Sequence, residues 1–421
     1  MNDPLRNSLA LAAFGALLLS TSGAVQGAYA VAGDDWPQFM GPNRDGKAPG
    51  SIVRTLPPEG PTVLWRAPVG EGFAGPVVVA GKTILFHRVD DEEVVEARDA
   101  LSGAPLWRTS YPTSYRDDFG FDEGPRSAPT VVDGAVYTCG AQGAVQALDL
   151  STGERRWSVD SQTRFSPEKG FFGAACSPLV AGGHVMINLG GRDGSGIVAF
   201  AADSGEVVWT ATEDPASYSA PILADFGDGP RALFFTRMGL VDLDPADGTV
   251  RATLRWRSRS RASVNAASPV VVGNRVFLSA SYGTGAILLE RTADGYAEVW
   301  SNDEALSNHY ATSIHYQGVL YGYHGRQEYG QALRAVDAAT GAVRWEMERF
   351  GAGSLLLAGE ILVILRESGE LVLADATPEA FRPTARAQLL DRVVRAFPAL
   401  ADGVLYARNG GEVAAFDLRQ R

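Results

Sequence analysis

The sequence contains only two cysteines, Cys139 and Cys176, among its 421 residues. Two cysteines cannot build a disulfide-rich scaffold, and no Cys-x-x-Cys or Cys-x-x-Cys-His spacing occurs. The sequence therefore excludes a zinc ribbon, a thioredoxin-type site and a covalently attached c-type haem. An oxidising compartment permits a bridge between the two cysteines, but the sequence gives no distance between them, and two buried thiols are the favoured interpretation.

Positive charge is also scarce. Only Lys47, Lys82 and Lys169 are lysines, and 37 basic side chains stand against 49 acidic ones, for a net charge of −12. Because an acidic chain gains nothing from phosphate backbones, we expect no nucleic-acid binding. The sequence also lacks His-Glu-x-x-His, Gly-x-Ser-x-Gly and phosphate-loop motifs, which are signatures of zinc proteases, serine hydrolases and nucleotide hydrolases.

Long apolar runs are confined to the N-terminus, where residues 1–30 have the pattern of a signal peptide. Arg6 precedes the apolar run of residues 9–19, and Ala28-Tyr29-Ala30 matches a small-residue cleavage site. An uncleaved N-terminal anchor is the alternative. No cysteine follows the run closely enough to accept a lipid, and no other segment has the length of a membrane span. We therefore expect a soluble periplasmic or secreted protein, not a lipoprotein, without a transmembrane span after signal cleavage.

What is abundant is glycine, with 48 residues, and much of it recurs in one repeat unit. The unit reads Asp-x-x-small-Gly-x-x-x-Trp. An aspartate followed by glycine suits a tight turn between antiparallel strands, and the tryptophan ring can fill the gap between neighbouring sheets. The aspartate-equivalent positions are 99, 149, 201, 244, 291, 337, 375 and 417, of which 99, 149 and 337 have every element of the unit.

The mean spacing of these eight positions is about 45 residues, and each unit contains signals for about four short strands. This period predicts an all-β, eight-bladed β-propeller with four-stranded antiparallel blades, over residues 61–421 after an N-terminal arm at residues 31–60. The last unit lacks its tryptophan strand, whereas Thr62-Val-Leu-Trp65-Arg-Ala-Pro68 is such a strand without a preceding turn. We expect this N-terminal strand to complete the C-terminal blade. An open β-solenoid or two stacked β-sandwiches are the competing folds.

The repeat, preceded by a Ser-Pro-Val-Val type of strand start, resembles that of the pyrroloquinoline-quinone (PQQ) enzyme superfamily. Within it, the chain is most similar to the PQQ-binding-like β-propeller repeat proteins of bacterial envelopes. The segment Asp35-Trp36-Pro-Gln-Phe-Met-Gly-Pro-Asn-Arg-Asp45-Gly46 and residues 111–126 are similar to motifs of those proteins. The resemblance implies the propeller fold but not the activity, because the superfamily includes quinoprotein dehydrogenases and also non-catalytic propellers, such as the lipoprotein subunit of the outer-membrane β-barrel assembly machinery.

Propellers usually bind ligands at a mouth of the central channel, so the residues just before each innermost strand are the site candidates. A calcium- and PQQ-dependent enzyme of the superfamily would supply Glu, Asn and Asp ligands from this ring, and here only Asn265 fits. We therefore predict no catalytic residue, no metal site and no cofactor. The ring comprises Phe73, Arg126, Cys176, Tyr218, Asn265, His309 or Tyr310, Gly351 and Arg395, and the ligand-binding candidates among them are Arg126, Asn265, His309, Tyr310 and Arg395.

Two further patterns have plain interpretations. The acidic stretch at residues 117–123 lacks the ligand spacing of a calcium loop and is interpreted as a solvated loop. His309 and His324 flank one hairpin and could hold a metal, although hydrogen-bonded histidines are more common. The leading hypothesis is an exported, non-catalytic scaffold of the cell envelope that binds a protein partner or a small ligand at the channel mouth. The alternative is a PQQ- and calcium-dependent alcohol or sugar dehydrogenase.

Overall fold

The computed structural model describes residues 35–260 and 265–420, which form eight sheets arranged as the blades of a β-propeller. The prediction of an all-β, eight-bladed ring is confirmed. The predicted signal peptide, residues 1–30, lies outside the described residues. Within them, no helix has the length and apolar character needed to cross a membrane.

Each blade has four antiparallel strands, numbered from the channel outwards in blades 1 to 7. Blade 1 comprises β3 (Val77–Val79), β4 (Lys82–Val89), β5 (Glu92–Asp99) and β6 (Pro105–Pro112). Blade 2 comprises β7 (Thr130–Val132), β8 (Ala135–Cys139), β9 (Ala144–Asp149) and β10 (Arg155–Asp160). Blade 3 comprises β11 (Leu179–Ala181), β12 (His184–Asn188), β13 (Ile197–Ala201) and β14 (Val207–Ala211). Blade 4 comprises β15 (Ile222–Asp225), β16 (Pro230–Thr236), β17 (Gly239–Leu243) and β18 (Val250–Arg255).

The second half of the ring repeats this order. Blade 5 comprises β19 (Val270–Val272), β20 (Arg275–Ala280), β21 (Gly285–Thr292) and β22 (Gly295–Asn302). Blade 6 comprises β23 (Ile314–Tyr316), β24 (Val319–His324), β25 (Ala332–Asp337) and β26 (Val343–Met347). Blade 7 comprises β27 (Gly353–Ala358), β28 (Ile361–Arg366), β29 (Glu370–Asp375) and β30 (Pro383–Gln388), with β1 (Lys47–Ala48) added in parallel to β27. Blade 8 comprises β31 (Ala399–Ala401), β32 (Val404–Arg408), β33 (Glu412–Asp417) and the N-terminal β2 (Thr62–Pro68). The helices are α1 (Ser161–Phe165) and a 3-10 turn at Gln327–Tyr329.

The ring closes through its N-terminal strand, as the sequence predicts. Strand β2 pairs antiparallel with β33, from Thr62 opposite Asp417 to Pro68 opposite Glu412. The first strand of the ring thus supplies the outermost strand of the last blade, and the two ends of the chain hold the ring together. Closure of this kind removes the open sheet edges that otherwise promote aggregation.

The repeated turn joins neighbouring blades through its tryptophan. The Trp107 indole Nε1 donates to the Leu150 carbonyl, 2.9 Å away in the turn of the next blade. The ring lies flat against Gly153, whose φ of +74° is a left-handed conformation that favours glycine. Asp149 completes the turn, since its Oδ1 accepts the Ser151 backbone N–H at 2.8 Å. The same tryptophan-to-carbonyl bond recurs at Trp65, Trp157, Trp209, Trp300 and Trp345.

The N-terminal arm lies inside the channel. Trp36 pairs with Val78 in the middle of β3, and Ile52 pairs with Arg419, which follows the carboxyl end of β33 in blade 8. Arg44 reaches the amino end of β15, where its Nη1 donates to the Pro221 carbonyl at 2.8 Å. Burial lowers the pKa of Arg44 to about 10, so the guanidinium stays charged at neutral pH. The arm therefore packs against the innermost strands, and the segments at the amino ends of these strands form the mouth that carries the predicted site residues.

Candidate functional site: the channel mouth

This mouth of the channel is framed by the segments that lead from an outermost strand to the innermost strand of the next blade. Two of these segments are long: residues 113–129, between β6 and β7, and residues 161–178, between β10 and β11. The first carries the sequence Phe119-Gly-Phe121, and the second carries Phe171-Phe172. The neighbouring segments are short, so these two loops determine the chemistry of this side of the mouth.

The two loops form a continuous aromatic surface, which we define as Phe119, Phe121, Phe171, Phe172 and Tyr218. The ring centroids of Phe119 and Phe172 lie 5.4 Å apart, and those of Phe172 and Tyr218 lie 5.6 Å apart. Phe119 and Phe121 stack with their centroids 6.1 Å apart. Phe119 is 55% exposed and Phe121 is 59% exposed. Phe119 and Phe121 are thus neighbouring phenylalanines that both face solvent. Single exposed apolar residues are common on protein surfaces, whereas a contiguous apolar patch marks an interaction site.

One buried carboxylate holds this tip in shape, while residues 118–121 are exposed, as the interpretation of residues 117–123 as a solvated loop predicts. The Asp117 side chain has no solvent exposure, and its Oδ2 accepts the Phe121 N–H at 2.6 Å. Asp122 Oδ2 accepts the Gly72 N–H at 3.0 Å and so ties the loop to the start of blade 1. Asp118 is exposed and pairs with Lys169, and the half-buried Glu123 pairs with Arg88 and Arg116. The acids of this loop are therefore mainly structural.

Two of the predicted site residues, Arg126 and Arg395, meet at the edge of the aromatic surface. The Arg126 guanidinium lies 5.4 Å from the ring centroids of both Phe73 and Phe172. The Arg395 guanidinium lies 5.6 Å from the Phe73 centroid and 5.8 Å from that of Phe121. Guanidinium groups stack favourably on aromatic faces. The aromatic surface and the arginines of the mouth are thus one unit.

Tyr310 and Arg395 are brought together through a residue that the sequence did not single out, Glu367. The Tyr310 hydroxyl donates to Glu367 Oε1 at 2.6 Å, and Arg395 Nε donates to the same oxygen at 2.7 Å. Burial, followed by the charge of Glu367, raises the pKa of Tyr310 well above its usual value. Glu367 is therefore committed to internal bonds.

His309 lies beside this group, with its ring 5.8 Å from that of Tyr310. The Tyr282 hydroxyl is 3.1 Å from His309 Nε2, while the buried Nδ1 has no hydrogen-bond partner among the described residues. Burial lowers the pKa of His309, so the ring is neutral around pH 7. His324 also has a buried Nδ1 without a partner among these residues. Over residues 35–260 and 265–420, no three His, Cys, Asp or Glu side chains are grouped to hold a metal ion.

Asn265, the fifth predicted site residue, lies in the wall of the channel. It is buried, and its side-chain Nδ2 donates to the Thr236 carbonyl at 2.7 Å. Its own backbone carbonyl accepts the N–H groups of Tyr218 and Ser219. Asn265 therefore joins two neighbouring segments of the wall, and its side-chain Nδ2 is bonded to the backbone.

Cys176, another member of the predicted ring, is buried together with Cys139 in one apolar cluster. Both are free thiols. Burial raises the pKa of Cys176 to about 11 and that of Cys139 further. Since the thiolate is the reactive form of cysteine, neither residue has the properties of a nucleophile.

The mouth residues do not fit a calcium ion with a quinone cofactor. Calcium is bound by several oxygen ligands, mainly carboxylates and carbonyls. Glu367 accepts bonds from Arg395 and Tyr310, Asp117 accepts the Phe121 N–H and lies 3.9 Å from Arg126, and the Asn265 amide is bonded to the backbone. The remaining positive guanidinium groups of Arg126 and Arg395 would repel a cation. This donor set instead suits contact with aromatic, apolar or anionic groups.

The comparisons with known proteins agree with the propeller and include both kinds of superfamily member. A curated relative, outer membrane protein assembly factor BamB of Yersinia pestis, is 21% identical over 76% of this chain and 81% of its own. The crystal structure of BamB from Moraxella catarrhalis has a TM-score of 0.64 at 16% identity, covering 86% of this chain and 98% of that one. The quinohemoprotein alcohol dehydrogenase from Comamonas testosteroni has a TM-score of 0.67 at 14% identity, covering 92% and 81%.

The similarity to these solved structures shows the fold alone, whereas the family follows from the sequence. The family model described as outer membrane protein assembly factor BamB matches residues 49–170, 91–328 and 330–420. Because these matches span most of the chain, the protein belongs to this family of PQQ-repeat β-propellers.

Proposed function

We propose that this protein is an exported, non-catalytic binding and assembly scaffold of the cell envelope, which docks a protein partner through the aromatic surface at its channel mouth. The observation that carries the proposal is the pair of exposed rings, Phe119 and Phe121, beside Arg126 and Arg395. Aromatic residues and arginine are the residue types enriched at the centres of protein interfaces. The family description as an outer membrane assembly factor supports the same role.

The energetics of the surface are adequate for such a role. Full burial of a phenylalanine side chain contributes roughly 1.5–3 kcal/mol. Phe119 and Phe121 each have more than half of their surface still exposed, so covering both contributes roughly 2–3 kcal/mol. The buried Asp117 fixes the loop backbone before binding, which reduces the entropy lost on association.

The test is a comparison of partner capture by matched variants. Tagged protein would be cross-linked in the envelope, and captured proteins would be identified by mass spectrometry for the wild type, for Phe119→Ser/Phe121→Ser, and for Leu101→Ser/Leu106→Ser. Leu101 and Leu106 are similarly exposed, at 58% and 49%, but belong to the turn and outer strand of blade 1. We expect one outer-membrane assembly protein to be captured by the wild type and the leucine variant and lost from the phenylalanine variant. Equal capture by all three proteins would contradict the proposal.

The proposed location requires export. We infer that residues 1–30 are removed and that the mature protein acts outside the cytoplasm without a lipid anchor, because the first cysteine after the apolar run is Cys139, far downstream of it. Mass spectrometry of the purified native protein checks this inference. We expect an N-terminus close to residue 31, and a mass that includes residues 1–30 or an attached acyl chain would be inconsistent with it.

The dehydrogenase remains the second candidate function, since the fold similarity to the Comamonas testosteroni enzyme is as high as that to BamB. A titration with PQQ and calcium, followed by quinone absorbance and by reduction of a dye with added alcohol, separates the two functions. We expect no saturable change in absorbance. Alcohol-dependent dye reduction that requires PQQ would favour the dehydrogenase.

A further inference from the structure

A basic segment follows the outermost strand of blade 4. Arg255 is the last residue of β18, and Arg257 and Arg259 follow at alternate positions, separated by Trp256 and Ser258. We call these three arginines the arginine ladder. In a chain with a net charge of −12, three guanidinium groups within five residues form a marked local reversal of charge.

The ladder faces outwards because the residues between its members face inwards. The Trp256 ring stacks on the buried Phe235 ring, with centroids 5.9 Å apart. Ser258 is buried, and its hydroxyl donates to the Tyr282 carbonyl at 2.7 Å. Arg255 and Arg259 are exposed, whereas Arg257 is half-buried, with its Nε donating to the Ser258 carbonyl at 3.1 Å and its Nη1 to Met238 Sδ at 3.4 Å.

Among the residues that the structure describes, the ladder has no internal counter-charge. Elsewhere arginines are commonly paired, as when Arg251 lies 2.7 Å from Asp244 in the same blade. Across residues 35–260 and 265–420, no ion pair joins Arg255, Arg257 or Arg259 to a carboxylate. Burial first, and then the positive charges of Arg237 and Arg255, lower the pKa of Arg257. Within the described residues, the three guanidinium groups therefore carry positive charge that no carboxylate neutralises through an ion pair.

The ladder also lines a cleft that adjoins the aromatic surface. Residues 255–259 line a cavity of about 620 Å³. Arg237, whose charge acts on Arg257, lies with its guanidinium 5.2 Å from the ring centroid of Phe171. A partner that covers the aromatic surface thus meets the ladder along the same side of the mouth.

We propose that the arginine ladder binds acidic side chains at alternate positions of an extended segment of the scaffold's partner, an inference that rests on the proposed function. Alternate side chains of an extended chain point to the same side and are spaced by about 6.6–6.8 Å, so a partner segment with Asp or Glu at every second position can present several carboxylates to the ladder. Each guanidinium fork can bind one carboxylate bidentately. An anionic membrane is the less favoured occupant, because a chain with net charge −12 is repelled by such a surface and a cleft suits a discrete segment.

The experiment measures binding of a defined peptide to the purified full chain. A fluorescein-labelled peptide that alternates aspartate with threonine is titrated with protein at low salt, beside a peptide of equal composition with all its aspartates contiguous. The test variant is Arg255→Gln/Arg257→Gln/Arg259→Gln. The control is Arg108→Gln/Arg155→Gln/Arg382→Gln, which removes three exposed arginines from other surfaces with the same change in net charge. Circular dichroism and the thermal midpoint establish that each variant is folded.

We expect the wild type and the control variant to bind the alternating peptide, and the ladder variant to bind it about 10- to 100-fold more weakly. The variant Arg255→Lys/Arg257→Lys/Arg259→Lys, which keeps the charge without the fork, should bind with intermediate affinity. Equal affinity for the two peptides, equal loss in the control variant, or absence of peptide binding would overturn the inference. So would ladder-dependent binding to phosphatidylglycerol vesicles without peptide binding, which would assign the ladder to a lipid surface. None of these peptide results depends on Phe119 or Phe121, so failure of the ladder and failure of the proposed docking surface are distinguishable.

Discussion

Replacing Gly153 with alanine tests whether the tryptophan–glycine contact holds neighbouring blades together. An alanine Cβ at this position would lie 2.4 Å from Cε3 of Trp107 in the preceding blade, far inside van der Waals contact. The backbone φ of +74° adds the cost of a left-handed conformation, about 1–2 kcal/mol for a residue with a side chain. Overpacking of a core site that can relax only partly typically costs about 1–3 kcal/mol more. We therefore expect Gly153→Ala to lower the free energy of unfolding by roughly 2–5 kcal/mol.

Gly134→Ala is the matched control. Gly134 belongs to the same blade and has a similar φ of +70°, but the nearest atom to an alanine methyl group at this position would be Arg156 Nη2 at 4.0 Å. This variant should carry the conformational cost alone, about 1–2 kcal/mol. Urea unfolding followed by tryptophan fluorescence and circular dichroism gives the difference between the two variants. In a Trp107→Ala background, the penalty of Gly153→Ala should fall to that of Gly134→Ala.

A difference of less than about 0.5 kcal/mol between the free energies of unfolding of the two glycine variants would contradict this prediction, because independent sites are additive only to within that value. In that case the Trp107 indole would move aside without a measurable cost, and its contact with Gly153 would not stabilise the packing of the two blades. A larger penalty for Gly134→Ala than for Gly153→Ala would refute it outright.

Three further results follow from buried groups. Arg44→Met should lower the free energy of unfolding by about 2–4 kcal/mol, because the Pro221 and Pro178 carbonyls lose their buried donor. The control Arg54→Gln, at an exposed position, should lower it by less than about 1 kcal/mol, and urea unfolding of both variants measures the difference. Burial lowers the pKa of His309, so the unfolded chain binds a proton at this histidine more tightly than the folded protein does. The free energy of unfolding should therefore fall as the pH drops below about 6.5, and His309→Gln should make the fall between about pH 7.5 and pH 5.5 smaller in urea unfolding curves. An unchanged fall would contradict the burial argument. A thiol reagent should label neither Cys139 nor Cys176 in the native protein and should label both in denaturant without reductant, whereas labelling of neither in denaturant would indicate a bridge.

The candidate site shows where reasoning from the sequence works and where it stops. Arg126 and Arg395 were found because the repeat register places both just before an innermost strand, and the structure brings them together on Phe73. Glu367 was missed because it lies in the turn between two strands of blade 7, outside the positions that the register marks. The Asn265 amide donates to the Thr236 carbonyl, and a sequence does not show whether an amide faces a ligand or a backbone carbonyl.

The aromatic surface was also missed, although its signal is present in the sequence. The phenylalanines at 119, 121, 171 and 172 stand in glycine-containing, polar loops, where apolar rings lack a strand to place them in a core. Two loops from different blades had to be brought side by side before these rings formed one surface. The arginine ladder depends in the same way on the inward packing of Trp256 and Ser258.

The sequence by itself determined the number of blades, the turn chemistry and the closure of the ring, because the turn unit recurs at a mean spacing of about 45 residues and is complete at Asp99, Asp149 and Asp337. These features depend on residues close together in the sequence or in adjacent repeats, as in the contact of Trp107 with Gly153 of the next blade. Only the tertiary structure decided that Arg44 of the N-terminal arm reaches the amino end of β15, and that loops of separate blades share one aromatic mouth. Those contacts join segments far apart in the chain, and no period in the sequence specifies them, since they follow from how the closed ring brings its loops together.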